Sequence, residues 1–366
     1  MKSSDFAPTK PRRSIALAVT VGVALTAAAC NSSTSSNSSA TTASAGSTVT
    51  TGATGASAGW QTTVSEANKE GSLTWYTTNL PDESTALVTA FNKKYPAIHV
   101  AVARVLTGLG PKLLAEKQTG AAGADVATTN DPTVAPSLAA TNGLVQLNGP
   151  SAGAWKGNKY LTGNESFVSN FNILGISYNT NIVKTPITSF ADLLSPQLSG
   201  GKIGLPEVQV ASVFVDWYNF VVKSTSSTFL ASLAKQSPTF YSSAVPMQQA
   251  VESGEIAVDA YTVPSIRADI AKGAPVKFVV PSPAWAAPFY SFGVAWAKHP
   301  AAARVFLDFM MSATGQKALG VDGASALPSV TGTLTQLSNV SVSQVSSLTA
   351  AQVSSETKQI NSTFGR

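Results

Sequence analysis

Leu73-Thr74-Trp75-Tyr76-Thr77-Thr78 is a β-branched and aromatic run entered through Gly71, and the alternation of helix and strand downstream of it decides the fold. From Asp82 to Tyr95 the apolar positions Ala86, Leu87, Ala90 and Phe91 recur at helical spacing until Pro96 stops them. Ile98 to Arg104 reads as a second strand. Gly108 to Gly120 holds a helix carrying Leu109, Leu113 and Leu114, and Ala124 to Thr129 is a third strand ending at Asn130-Asp131-Pro132. Strand, helix, strand, helix and strand within about 60 residues imply right-handed βαβ crossovers and a parallel sheet.

Further along, the theme returns. Ile173 to Asn179 is a strand, Phe190 to Leu194 a short helix, Lys202 to Leu205 a strand, and Ala211 to Lys223 a helix. Pro246 to Ser253 is helical, Glu255 to Ala260 a strand, Ser265 to Lys272 a helix, and Val276 to Val280 a strand. Phe292 to Trp296 then reads as a strand and Pro300 to Met311 as an amphipathic helix. The Ser/Thr-rich stretch 329–348 is loop-like, and Ala350 to Phe364 closes the chain as a helix. With 366 residues there is chain enough for two cores, and two α/β lobes are more economical than one very large sheet.

Composition removes several classes of function. Charged residues are only 12% of the chain, and of its net charge of +5, Lys2, Lys10, Arg12 and Arg13 against Asp5 place three in residues 1–29. The remainder is near neutral and has no basic run, so nucleic acid is not an expected partner. One cysteine excludes an internal disulfide framework and a Cys-based zinc site. His99 and His299 stand far apart, one within a strand and one at a helix start, so neither a multi-His metal centre nor a Ser-His-Asp set is arguable. No cofactor and no enzymatic activity are expected.

The N-terminus reads as an address. Lys10-Pro11-Arg12-Arg13 precedes the apolar stretch Ile15 to Ala29, which ends in Ala27-Ala28-Ala29-Cys30. A basic n-region, a short apolar h-region and small residues at the cut describe a secretory signal, too short to span a bilayer as a helix. The placement of Cys30 resembles the bacterial lipoprotein signal, which implies residues 1–29 as a signal peptide and lipidation of Cys30. Ordinary secretion with an incidental Cys is the other reading. Residues 30–60, the Cys followed by Ser, Thr, Ala and Gly, show no apolar periodicity and read as a disordered tether. As a flexible coil it would span on the order of 30 Å.

Several segments together resemble bacterial extracellular solute-binding proteins, most narrowly the ferric-iron-binding type. They are Gly71 to Thr78 with Leu87 to Pro96, Ala124-Asp125-Val126, Val251-Glu252-Ser253-Gly254-Glu255-Ile256, and Lys272 to Val276. The most specific is Ala302 to Ser312 running on to Gly315-Gln316. The resemblance implies an α/β, two-lobe periplasmic-binding-protein fold (type II), with an interlobe cleft and two crossing strands. Lobe 1 would comprise 61–172 plus 293–366, and lobe 2 with the hinge return 173–292. It further implies a monomeric, lipid-anchored component of an ABC importer on the outer face of the bacterial cell membrane. Such a component captures a small solute by hinge closure and delivers it to a permease with its ATPase.

Ligands of open α/β sheets sit beyond the C-terminal ends of the strands. That selects Tyr76, Thr77, Thr78 and Asn79, then Thr107 and Gly108, then Asn130 and Asp131, and in the second half Tyr261 with Thr262. Ala211 and Ser212 fall where the resembling proteins hold an anion, and Ser242-Ser243 lie at another of their binding loops. Helix capping is an equally good use for any single hydroxyl here. Trp285, Phe289 and Tyr290 in a Pro-rich loop would wall an apolar part of the ligand or pack between lobes. Arg104 would pair with a carboxylate or remain solvated. The resemblance to ferric proteins carries over incompletely. Asn79 stands at the early His or Gln position, Asn130 at the Glu position, and Tyr261-Thr262 at the tyrosine pair. A neutral or anionic organic solute is therefore the expected ligand, with ferric iron or an iron chelate as the alternative. A sensory or adhesive lipoprotein of the same fold is the second alternative.

Overall fold

The computed structural model describes residues 51–366. The signal segment 1–29, Cys30 and the tether as far as residue 50 lie outside the described residues. The tether was expected to run to residue 60, but helix α1 (Thr51–Glu70) already begins at Thr51. Its second half explains why: Ala67 is fully buried, and Trp60 and Val64 pack against a core built from the rest of the chain. Propensity within the segment gives no hint of this, because the packing partners are distant in sequence.

After α1 come β1 (Ser72–Thr77), α2 (Pro81–Lys94), β2 (His99–Arg104), α3 (Leu109–Thr119), β3 (Val126–Thr129) and α4 (Val134–Ala139). β1 pairs in parallel with β2 on one side and β3 on the other, with Trp75 opposite both Val102 and Val126. Alternation along β1 sends Trp75 to one face and Tyr76 to the other. Trp75 joins Leu73, Phe91 and Phe306, while Tyr76 joins Leu109, Leu113, Val134 and Phe292.

β4 (Leu161–Thr162) precedes β5 (Ser166–Asn179), whose fourteen residues are all buried. Next along the chain are β6 (Ile203–Pro206), α5 (Ser212–Ser224), α6 (Phe229–Ala234), β7 (Thr239–Tyr241), α7 (Ala244–Ser253), β8 (Val258–Thr262), α8 (Ile266–Ala271) and β9 (Val276–Val279). The chain returns through β10 (Ala284–Gly293), then α9 (Pro300–Met311), α10 (Ala313–Leu319), β11 (Gly323–Ala324), β12 (Val340–Val342) and α11 (Ala350–Thr363). Among the described residues the strand order is β2-β1-β3-β10-β5-β8-β6-β7, with β4, β9 and β11 joined to β5 and β12 to β10.

β5 links two large cores. Phe167, Phe171 and Ile173 belong to the first, with Trp75 and Phe306; Leu174, Ile176 and Tyr178 belong to the second, with Leu205, Trp217 and Val258. β10 runs antiparallel beside it, Trp285 opposite Leu174 and Phe292 opposite Ser166, with the register shifting between Phe289 and Tyr290. These are the two crossing strands of an α/β periplasmic-binding-protein fold. The strand expected at Ile173 to Asn179 already starts at Ser166. The strand expected at Phe292 to Trp296 covers 284–293 instead. The Pro-rich loop assigned to Trp285, Phe289 and Tyr290 is thus a strand, because pairing with β5 overrides the turn signal of Pro288. The strand read at Glu255 to Ala260 lies at Val258–Thr262.

The end of the chain also departs from expectation. It was placed with the first core, but Ile360 is buried in the second, and Leu348, Val353 and Phe364 pack against that core. Residues 340–342 of the supposed loop form β12, parallel to β10 with Val340 opposite Ala284.

Candidate functional site

A cavity of about 680 Å³ lies where several of these elements meet. Asn130 to Thr133, beyond the C-terminal end of β3, form one wall, and Ser212 and Val213, opening α5, another. Ala287 and Pro288 of β10 lie between, and the tail closes it with Ser343, Val345, Ser346, Leu348, Ala350, Val353 and Ser354. The volume is that of a small-molecule site.

Asp131 is the sole charged residue lining it among the described residues. Its Oδ1 accepts from the Thr133 amide at 2.9 Å and the Thr133 hydroxyl at 2.7 Å, which leaves Oδ2 without a protein partner. Its negative charge reaches Tyr290, whose phenol is raised above the ordinary range by burial and then by Asp131. Opposite stands the start of α5. Its N-cap Ala211 is extended and supplies no side-chain acceptor, so the partial positive charge of the first turn is open to a ligand. One negative pole and one positive pole therefore share a cavity otherwise lined by the Asn130 amide, hydroxyls and apolar groups.

Of the residues expected at the site, the structure brings Asn130, Asp131 and Ser212 together in this cavity, with Ala211 and Tyr290 adjoining it. Thr107 and Gly108 are exposed at the start of α3, and Ser242 and Ser243 are exposed ahead of α7; none of the four lines the cavity. Tyr76 donates from within its core to Glu116 at 3.0 Å. Thr77 is buried and bonds Asn79 at 2.8 Å, and the Thr78 hydroxyl is buried without a partner. Tyr261 is packed edge-on against Phe214 and Trp217 in the second core, and burial raises its phenol far above the ordinary range. Trp285 and Phe289 are buried and are not among the residues lining this cavity; Trp285 Nε1 donates to Asp216 at 2.9 Å. Arg104 Nε donates to the Asn79 carbonyl at 3.0 Å, fastening the loop after β1.

Asn79 belongs to a buried cage around Glu83. Asn79 Nδ2 donates to Glu83 Oε2 at 2.8 Å, the Leu80 amide to the same oxygen at 3.1 Å, and Asn170 Nδ2 to Oε1 at 3.1 Å. Asn172, turned so that its amide nitrogen faces Glu83, donates to that carboxylate too. The carboxyl is fully buried without a cation, and desolvation pushes its pKa up to about 8 against these hydrogen bonds. Asp259 is a second such group, pushed up to about 7 by burial, with Oδ2 unpartnered. No cluster of three or more His, Cys, Asp or Glu is placed to hold a metal among the described residues.

Sequence reading placed the closing helix, which forms as α11, but missed β12 and the tail's place in the cavity wall. The Ser/Thr-rich run before the helix carried no periodicity; the Thr349–Gln352 capping box, with the Gln352 amide donating to Thr349 Oγ1 at 3.2 Å, marks where the helix starts.

The family of bacterial extracellular solute-binding proteins matches residues 76–324, and the chain belongs to it. No curated protein matches the chain by sequence. Among solved structures, the substrate-binding protein of an ABC transporter from Agrobacterium tumefaciens is 16% identical with a TM-score of 0.64, over 80% of this chain and 94% of its own. Iron-bound HitA from Pseudomonas aeruginosa is 20% identical with a TM-score of 0.55, over 81% and 99%. AfuA from Actinobacillus pleuropneumoniae, with fructose-6-phosphate bound, is 18% identical with a TM-score of 0.53, also over 81% and 99%. As a member of that family the chain is a solute-binding protein rather than an enzyme. No helix among the described residues is long and apolar enough to cross a membrane.

Proposed function

We propose that the cavity beyond β3 captures a small dipolar or neutral organic solute between two lobes, one built around each of the two large cores, and presents it to a membrane permease. The observation that carries this reading is the pairing of Asp131 with the open start of α5 across about 680 Å³ of otherwise uncharged space. A donor or cationic group of the solute meets Asp131, and a carbonyl or carboxylate meets the first turn of α5. The absence of a basic side chain among the lining residues favours a dipolar solute over a strongly anionic one.

Ferric iron has Asp131 and Tyr290 in its favour, but the other expected donors are committed elsewhere: Asn79 to Glu83, and Tyr261 to the second core. A ferric titration that produces a visible tyrosinate-to-metal band would reinstate iron. For the organic solute, thermal melts are run with the twenty amino acids, neutral sugars, sugar phosphates and ferric citrate. Stabilisation is expected from an amino-acid-like or neutral solute and is expected to be lost in Asp131→Asn. Stabilisation by ferric citrate alone, or by sugar phosphates alone, would overturn the assignment. Anchoring through an acylated Cys30 completes the proposal; incorporation of labelled palmitate that persists in Cys30→Ser would refute it.

A further inference from the structure

The family match ends at residue 324, yet Ser343, Val345, Ser346, Leu348, Val353 and Ser354 line the cavity. A large part of the wall is therefore built by chain beyond the shared family region. What fastens it is one buried carboxylate. Asp216 of α5 accepts from Trp285 Nε1 at 2.9 Å and from the Ser343 hydroxyl at 2.7 Å, and the Gln344 amide lies 3.2 Å from each of its oxygens. Three elements converge on it: α5, the crossing strand β10 and the tail. The Ser343 amide also donates to the Ala286 carbonyl at 2.8 Å, continuing the β12 pairing, and Ile360 anchors the far end in the second core.

Behind this segment lies a smaller space of about 200 Å³, bordered by Asp216, Phe220, Trp285 and Gln344. The hydrogen bonds to Asp216 fix the segment at Ser343 and Gln344, next to that space, while Leu348 and Val353 pack against the second core further along. The side chains it presents to the cavity are short hydroxyl and aliphatic ones, which set volume and shape rather than charge.

We propose that residues 343–354 are the specificity-determining wall of the cleft and that Asp216 is their positioning residue. The inference rests on the solute-capture reading above and deepens it. The charged and polar ends of the solute are held by Asp131 and α5, whereas its size and apolar flank are selected by the tail against Val345, Leu348 and Val353.

The test uses the full chain and the variants Ser343→Ala, Asp216→Ala and Ser346→Phe, with the twenty amino acids and neutral sugars as probes. Hydrogen exchange detected by mass spectrometry reads the segment directly; melting shifts across the panel read specificity. Ser343→Ala and Asp216→Ala are expected to speed amide exchange at 340–349 at least tenfold, with 72–129 unchanged, and to weaken the preferred solute at least tenfold. Ser346→Phe is expected to leave exchange unchanged and to reorder the panel in favour of smaller solutes. Unchanged exchange at 340–349 in both Ser343→Ala and Asp216→Ala would overturn the positioning role. An unaltered solute ranking in Ser346→Phe, while the wild type binds normally, would overturn the specificity role alone. No stabilisation of the wild type by any probe would sink the functional reading and this inference together.

Discussion

Burial without a partner of opposite charge favours the protonated form of Glu83. Its carboxyl rises from an ordinary 4.5 to about 8, so between those values the folded chain holds a proton that the unfolded chain has released. Its stabilising contribution is complete below about pH 4.5 and is lost as pH rises through about 8; Asp259 acts with the same sign between 3.8 and about 7. The melting temperature is therefore expected to fall from about pH 5 to about pH 8, and Glu83→Gln, which cannot ionise, to flatten much of that slope and melt higher than the parent at the alkaline end. Calorimetry across pH checks this; a slope unchanged by the substitution would show that Glu83 stays ionised. Asn79 shows why residue-level function was only partly legible. Its place at a strand end marked it as a ligand, but what decides its role is a glutamate four positions on, and two more asparagines on β5 that no local pattern connects to it. Asn130, Asp131 and Ser212 were legible because their placement depends on strand and helix ends alone.

At the scale of elements, α9 ties the first core together. Phe306 stacks edge-on against Trp75 at 5.4 Å and Phe91 at 5.0 Å, and Phe309 meets Phe91 at 5.4 Å. Phe306→Ala is expected to destabilise by about 3–5 kcal/mol, read as a lower urea midpoint at constant slope. The start of the same helix is capped from α1: Glu70 accepts from the Ala301 amide at 3.2 Å and the Ala302 amide at 2.8 Å. Glu70→Ala is expected to cost about 1 kcal/mol in the same urea assay. On β5, a methyl at Gly175 would strike the Phe278 ring and the Val279 carbonyl, beside the shift in register with β8. Gly175→Ala is thus expected to lower the melting temperature even though it adds apolar surface. Most of these elements could be read from periodicity and breakers. The exceptions, α1, β10 and β12, share one cause: partners remote in sequence order them, so neither apolar spacing nor turn residues within the segment reveal them.

For the whole molecule, two cores linked by β5 and β10 provide the geometry for domain closure about two strands. Binding of the preferred solute is expected to shrink the radius of gyration in small-angle scattering, and Asp131→Asn to suppress that change at the same solute concentration. Equal radii with and without a solute that raises the melting temperature would instead mean a rigid receptacle. The order in which the chain visits its cores has a further effect. β1 is packed by α9, more than two hundred residues downstream, and the second core, begun at Leu174, receives Ile360 only after the chain has returned through the first. A ribosome-bound chain halted before residue 300 lacks the hydrophobic half that covers Trp75 and Phe91. The first core cannot close until α9 has been made, and the second lacks one of its buried side chains until Ile360 follows.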